Sequence, residues 1–257
     1  MQLSKRLQMS ADFVTPGGVV ADVGCDHAYL SIYLMEQGIA RRVIAMDVNK
    51  GPLTRARENI AKFGYEGQIE TRLSDGIEAL AAGEADTILC AGMGGKLIIH
   101  MLSANMEASM TANEWILQPQ SDFFEVRKYI WDKGFAIADE KMCEEDGKFY
   151  TSIHAVRKEP AGEEHRAQAS DEPLKGTVPG AAGFILGEQL IRRKDPVLRE
   201  YLKREEELNK RIQKSLEGQE TENARRRREE VTEWLGVVEL VRQLMDGKAR
   251  NEEESEL

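Results

Sequence analysis

Asp22-Val23-Gly24-Cys25-Asp26-His27-Ala28-Tyr29-Leu30 closes an apolar run, Val19 to Val23, and opens a helical pattern. A second apolar run, Val43-Ile44-Ala45-Met46, ends in Asp47. A strand that ends in a glycine turn, followed by an acid at the next strand's tip, is how a doubly wound sheet holds an adenine nucleoside. Gly24 lets backbone approach a ligand, and Asp47 can accept hydrogen bonds from both ribose hydroxyls. The loop is not G-x-G-x-x-G, because its second glycine position holds Asp26. An acid there repels a pyrophosphate but suits a ligand carrying an amino group and a sulfonium. The expected cofactor is therefore S-adenosyl-L-methionine (SAM), and a nicotinamide dinucleotide is disfavoured.

Two further loops fall at the ends of later apolar runs. Asp75 in Ser74-Asp75-Gly76 can accept from the adenine amine, the Gly76 amide can donate to a ring nitrogen, and Val48 can pack on adenine. Gly24 and Asp26 would face the methionine end, with Asp22, Gly92 and Gly94 also lining the cofactor. Gly92-Met93-Gly94-Gly95 is a strand exit that another group can approach closely, and Met93 offers an apolar contact to a substrate. His27 is a candidate general base or substrate partner. Tyr29 can stack on a base or hold the SAM carboxylate. Cys90, inside an apolar run, reads as core.

The elements that must position these residues alternate. A short helix over 1–15 stops at Pro16-Gly17-Gly18. Strands are predicted over 19–23, 42–46, 69–73, 87–91 and 115–118. Helices are predicted over 29–37, 52–63, near 77–81, from 96 to 101 and over 122–133. Strands over 135–142 and 149–156, with Gly147 between them, form an antiparallel hairpin. The fold class is α/β: a Rossmann-like, mostly parallel sheet with an antiparallel edge, the architecture of class I methyltransferases. Residues 1–157 form the catalytic domain, 158–182 a linker or crossing segment, 183–250 a coiled-coil-like helical hairpin, and 251–257 a disordered acidic tail.

A chain of 257 residues with 41% hydrophobic content can bury a real core. No apolar run reaches the ~20 residues that span a bilayer. Three scattered cysteines imply reduced thiols in a cytoplasm, and neither they nor the four histidines have metal-ligand spacing. The net charge of −10 is adverse to nucleic acid only on average, since a local basic patch sets the footprint.

Asp22 to Leu30, Ala45-Met46-Asp47-Val48-Asn49, Ser74-Asp75-Gly76, Gly92-Met93-Gly94-Gly95 and Leu117-Gln118-Pro119 resemble the bacterial tRNA adenine-N1-methyltransferases acting at position 22, the TrmK family. Leu3-Ser4-Lys5-Arg6-Leu7 and Glu144-Glu145-Asp146-Gly147-Lys148-Phe149-Tyr150 are similar to the ends of its catalytic domain. Ser31 stands where the family usually has proline, a change expected to matter little, and Gln120 where it often has asparagine. The resemblance implies a SAM-dependent enzyme acting on tRNA, with a C-terminal coiled coil. Asp26, His27, Tyr29, Gly92 and Met93 would then line the reacting base, and Asp26 would stabilise the cationic methylated ring. RNA phosphates would meet Lys5, Arg6, Arg41, Arg42, Arg192, Arg193, Arg225 and Arg226. The sequence leaves open whether the hairpin docks RNA or pairs with a second subunit, a monomer being favoured. Two alternatives stand beside this reading: a methyltransferase of a small molecule or protein, and a non-catalytic SAM-binding protein.

Overall fold

A computed structural model describes residues 1–158 and 182–247. The expected linker (apart from its end residues) and the acidic tail lie outside the described residues. Contacts divide the chain into two compact units, Met1–Asp171 and Glu172–Leu257.

The first unit is built on a seven-stranded sheet of β1 (Val19–Val23), β2 (Arg42–Asp47), β3 (Ile69–Leu73), β4 (Thr87–Met93), β5 (Glu114–Pro119), β6 (Phe135–Glu145) and β7 (Lys148–Arg157). The order is β3-β2-β1-β4-β5-β7-β6. β1 to β5 are parallel, and β7 enters antiparallel between β5 and β6. Asp146 (φ 51°) and Gly147 (φ 74°) make the two-residue turn of the β6–β7 hairpin, with the positive φ pair a tight hairpin needs.

Successive strand residues feed opposite faces. Val19, Ala21 and Val23 join a core with Trp115, Phe135 and the helices α4 (Gly95–Ser103), α5 (Met106–Thr111) and α6 (Phe123–Asp132). Val20, Val43 and Ala45 join the other core, with α1 (Lys5–Ala11), α2 (Tyr29–Glu36) and α3 (Lys50–Phe63). A sheet covered on both faces explains the near-continuous apolar runs. β1 lies between β2 and β4, so the crossover from β1 runs to one side while the crossover from β3 returns to the other, which opens a crevice at the carboxyl end of β1.

Several expectations need correction. The first helix spans only Lys5–Ala11, after which Phe13 and Val14 turn into the core. Residues 77–81 are not a helix. Gly76 is left-handed (φ 54°), the Ser74 hydroxyl accepts the Ala79 N–H at 3.1 Å, and Leu80 N–H bonds Ile77 C=O, giving successive tight turns. α5 was not foreseen; it is a single short helix whose N-cap Asn105 accepts from Ala108 N–H. α3 begins at Lys50, so Pro52 occupies its first turn.

In the second unit the long pattern starting at Phe184 is broken twice, by Gly187 (φ 92°) and Lys194 (φ 57°). It yields α7 (Ala182–Leu186), α8 (Glu188–Arg192) and then α9 (Pro196–Ser215), where the Asp195 side chain accepts from Val197 and Leu198 N–H. α10 (Glu222–Asp246) runs back along α9, and Trp234 donates to Glu205 across the pair at 3.0 Å. No described helix is long and apolar enough to cross a membrane.

Candidate active site

The β1–α2 loop is shaped by three positive φ angles: Gly24 (74°), Asp26 (46°) and Ala28 (58°). For the two non-glycines such backbone costs on the order of 1 kcal/mol or more, and it persists where neighbours over-determine it. Here Gly24 and Cys25 N–H both donate to Met46 C=O, at 2.8 and 3.0 Å, and Asn59 Nδ2 donates to His27 C=O at 3.0 Å. A Cβ on Gly24 would stand 3.1 Å from Met93 Sδ. The β1 and β4 loops therefore meet at this glycine, as a cradle for a ligand requires. Asp26 is exposed, with one oxygen 3.6 Å from His27 Nε2, and the His27 ring stacks on Tyr29 with centroids 5.6 Å apart. Tyr29 is 45% exposed at the start of α2.

Asp47 ends β2 half-buried. Its Oδ1 accepts the Asn49 N–H at 2.8 Å, a local turn that fixes the carboxylate at the strand tip. Val48 beside it is 54% exposed. Asp75 is exposed at the tip of β3, 3.8 Å from His100 Nε2. Gly76 is buried, and a Cβ there would lie 2.6 Å from Met101 Cα, so this glycine serves packing against α4.

Asp22 departs from the expectation of a group facing the ligand. It is 3% exposed beneath the loop and accepts the Ser31 hydroxyl at 2.5 Å. Burial pushes its carboxyl up to about 6, opposed by hydrogen bonds from Ser31 and aided by the negative charge of Asp47. Ser31, expected to matter little, is thus the brace of the loop's first acid. A folded-state value raised above the ordinary 3.8 means that Asp22 stabilises the fold fully below pH 3.8 and that this contribution is lost as pH rises through about 6. The charged form is roughly 3 kcal/mol costlier in the folded chain. Asp22→Asn should therefore gain stability relative to the wild type as pH rises from 4 to 7. Urea midpoints at both pH values check this, and a constant difference would contradict it.

The β4 exit contains a bulge: Ala91 pairs with Gln118 and Met93 with Pro119, leaving Gly92 (φ 79°) as the extra residue. Bulges re-aim side chains beside active sites. The three glycines of this loop have separate reasons. Gly92 faces Arg6, whose Nη1 would lie 3.1 Å from a Cβ. Gly94 precedes α4 beside the Ser121 hydroxyl, and Gly95 packs so tightly that a Cβ would lie 2.5 Å from Ser121 C=O. Cys90 is fully buried, and burial pushes its thiol up, as a core residue requires.

Gln118, a polar residue inside the apolar β5, is fully buried. Its Nε2 lies within hydrogen-bonding distance of Arg6 C=O (2.6 Å), Ser10 Oγ (2.8 Å) and Ser152 Oγ (3.1 Å), which fastens α1 to the β5 tip. Gln120, at the same tip, places Nε2 3.8 Å from the Gly92 Cβ position.

The cationic candidates are dispersed. Arg6 is at the β4 and β5 tips. Lys5 is exposed near it, its N–H donating to Glu145 at 2.6 Å. Arg41 and Arg42 lie at the opposite end of the sheet, at the start of β2. Arg41 is 3.7 Å from Asp86, and Arg42 pairs with Glu70 and, at 3.9 Å, Glu84. In the second unit Arg192 pairs with Glu188, Arg193 with Asp195, and Arg226 and Arg227 share Glu230, while Arg225 is exposed.

A methyltransferase domain family matches residues 3–153. The chain is 36% identical over 197 residues, 77% of its length and 78% of the relative's, to the tRNA (adenine(22)-N(1))-methyltransferase of Bacillus subtilis. The crystal structure of the B. subtilis M1A22 tRNA methyltransferase TrmK superposes with a TM-score of 0.77 at 31% identity, covering 93% of this chain and 98% of that one. Streptococcus pneumoniae Sp1610, solved in complex with S-adenosyl-L-methionine, gives a TM-score of 0.76 at 28% identity, covering 93% and 99%.

Proposed function

We propose, for a chain that belongs to the TrmK family of bacterial tRNA (adenine(22)-N(1))-methyltransferases, the transfer of a methyl group from SAM to N1 of adenine 22 in tRNA. The observation that carries this is the convergence of Gly24, Asp47, Asp75 and the Gly92–Met93 bulge at the carboxyl ends of four adjacent strands, on both sides of the β1–β4 switch point.

These residues fit the cofactor. Gly24, with the Met93 side chain lying over it, would bound the methionine end, Asp47 would receive the ribose diol, and exposed Val48 would cover one adenine face. Bound there, it supplies an electrophilic methyl group on a sulfonium. The chain's residues supply position. Adenine N1 carries a free lone pair, so the transfer needs no base, and alignment of acceptor and methyl does most of the catalysis. The ring becomes cationic as it is methylated. Asp26, exposed and set by a strained backbone, lies at the loop that faces this charge and offsets it. Tyr29, stacked on His27, presents an aromatic face for a base drawn out of its stack.

Purified protein incubated with labelled SAM and unmodified tRNA transcripts tests the reading. Label incorporation with a reverse-transcription stop next to adenine 22, absent when that adenine is replaced, is expected. SAM binding with no label on any tRNA would remove it.

A further inference from the structure

We infer that Arg6 is a positioning residue of the acceptor pocket, its guanidinium gripping a phosphate of the nucleotide whose base enters beside Gly92. This rests on the tRNA activity proposed above. Arg6 comes from α1, outside the strand-tip loops, yet its guanidinium reaches the bulge: Nη1 is 3.1 Å from the Gly92 Cβ position and 3.5 Å from Gln118 Oε1. The Cζ stands 5.6 Å from the Tyr150 ring centroid, and Nε is 3.9 Å from Glu145 Oε2. The root of the residue is fixed, because buried Gln118 binds its carbonyl at 2.6 Å. The head is less committed. Its two polar contacts are long, and the side chain keeps 30% exposure. A guanidinium has five donors in a planar fork that matches phosphate oxygens. Arg72, by contrast, spends its fork on Glu84 and Glu70 at 2.5 to 2.7 Å.

Charge decides between phosphate and base. N1 methylation puts a positive charge on the adenine ring, and a guanidinium against that ring would oppose the transition state. A phosphodiester keeps its negative charge throughout, so the same group holds the nucleotide without resisting the reaction. Gly92 has no side chain, which leaves that approach open.

The test is the salt dependence of tRNA affinity for Arg6→Gln and Arg6→Lys, alongside SAM affinity. Each phosphate contact contributes close to one unit of slope in log Kd against log salt. Arg6→Gln should weaken tRNA binding roughly tenfold or more and reduce the slope by about one, with SAM affinity unchanged. Arg6→Lys should keep the slope and lose kcat/KM, since a point charge lacks the fork. A wild-type slope in Arg6→Gln, whatever its activity, overturns the inference and leaves Arg6 a tie between α1 and β5. Should that variant not fold, Glu145→Gln carries the test. Removing the carboxylate that competes for Arg6 should tighten tRNA binding severalfold, and unchanged or weaker binding overturns the inference. Absence of methyl transfer to any tRNA by the wild type would refute the activity itself, whereas transfer with an unaltered Arg6→Gln slope refutes Arg6 alone.

Discussion

Asp47→Ala should weaken SAM binding by about two orders of magnitude while leaving the melting temperature nearly unchanged. The carboxylate stands at the tip of β2, where one oxygen is pinned by the Asn49 N–H. Pinning removes the entropy of orienting the group, so hydrogen bonds from a vicinal diol act at close to full strength. Bonds to a charged acceptor are worth roughly 1.5–3 kcal/mol each, and losing even one and a half of them is about a hundredfold in Kd. Asp47→Asn keeps one acceptor and replaces the other with a donor, so its loss should be intermediate, about tenfold. Stability should hold because the side chain is half-buried and its own bond is local. Calorimetric titration with SAM measures all three proteins. An Asp47→Ala affinity within threefold of wild type would take Asp47 out of the site.

Asp47 was legible in the sequence because its position is set by short-range chemistry. An apolar run that ends in an acid locates a strand tip, and parallel strands buried on both faces are such runs. β1 to β5 accordingly lie within two residues of their expected bounds at each end. What stayed hidden depends on distant partners. Nothing near Arg6 announces that it meets Gly92, 86 positions away, because the contact needs α1 docked on β5 through Gln118. A glutamine inside an apolar strand, at Gln118, is the sign the sequence carries, and it lies 112 positions from Arg6. Asp22 looked like a ligand-facing acid, and only the fold shows it turned beneath the loop toward Ser31. Arg41 and Arg42 were expected to meet RNA phosphates, yet the strand carries them to the far end of the sheet from the β1 and β4 loops, where Asp86, Glu70 and Glu84 meet them. Apolar spacing beyond Gly76 imitated a helix, but after the left-handed Gly76 the chain makes successive tight turns, Glu78 N–H bonding Asp75 C=O and Leu80 N–H bonding Ile77 C=O.

That glycine carries the second large effect. Gly76→Ala should destabilise the protein by about 3 kcal/mol or more, combining left-handed strain with overpacking, which is roughly 6–12 °C in melting temperature for a unit of this size. Two independent costs add. At φ 54° an L side chain is strained whatever its surroundings. The new methyl would also stand 2.6 Å from Met101 Cα and 2.8 Å from Met101 C=O, both backbone atoms of α4 that cannot swing aside as a flexible side chain can. Relief requires α4 to move, and α4 grows directly out of Gly92-Met93-Gly94-Gly95. The displacement would therefore reach the bulge and Met93, and SAM affinity should fall together with stability. Gly51 supplies the control. It is exposed in the first turn of α3 with nothing within 4 Å of a Cβ, so Gly51→Ala should raise stability by up to about 1 kcal/mol through helix propensity and a less flexible unfolded chain. Thermal unfolding of both variants separates the effects. If Gly76→Ala melts within 2 °C of wild type, the α4 backbone yields more readily than its packing in one core with Ile77, Val126 and Ile130 implies, and Gly76 would have to be explained by the ligand instead.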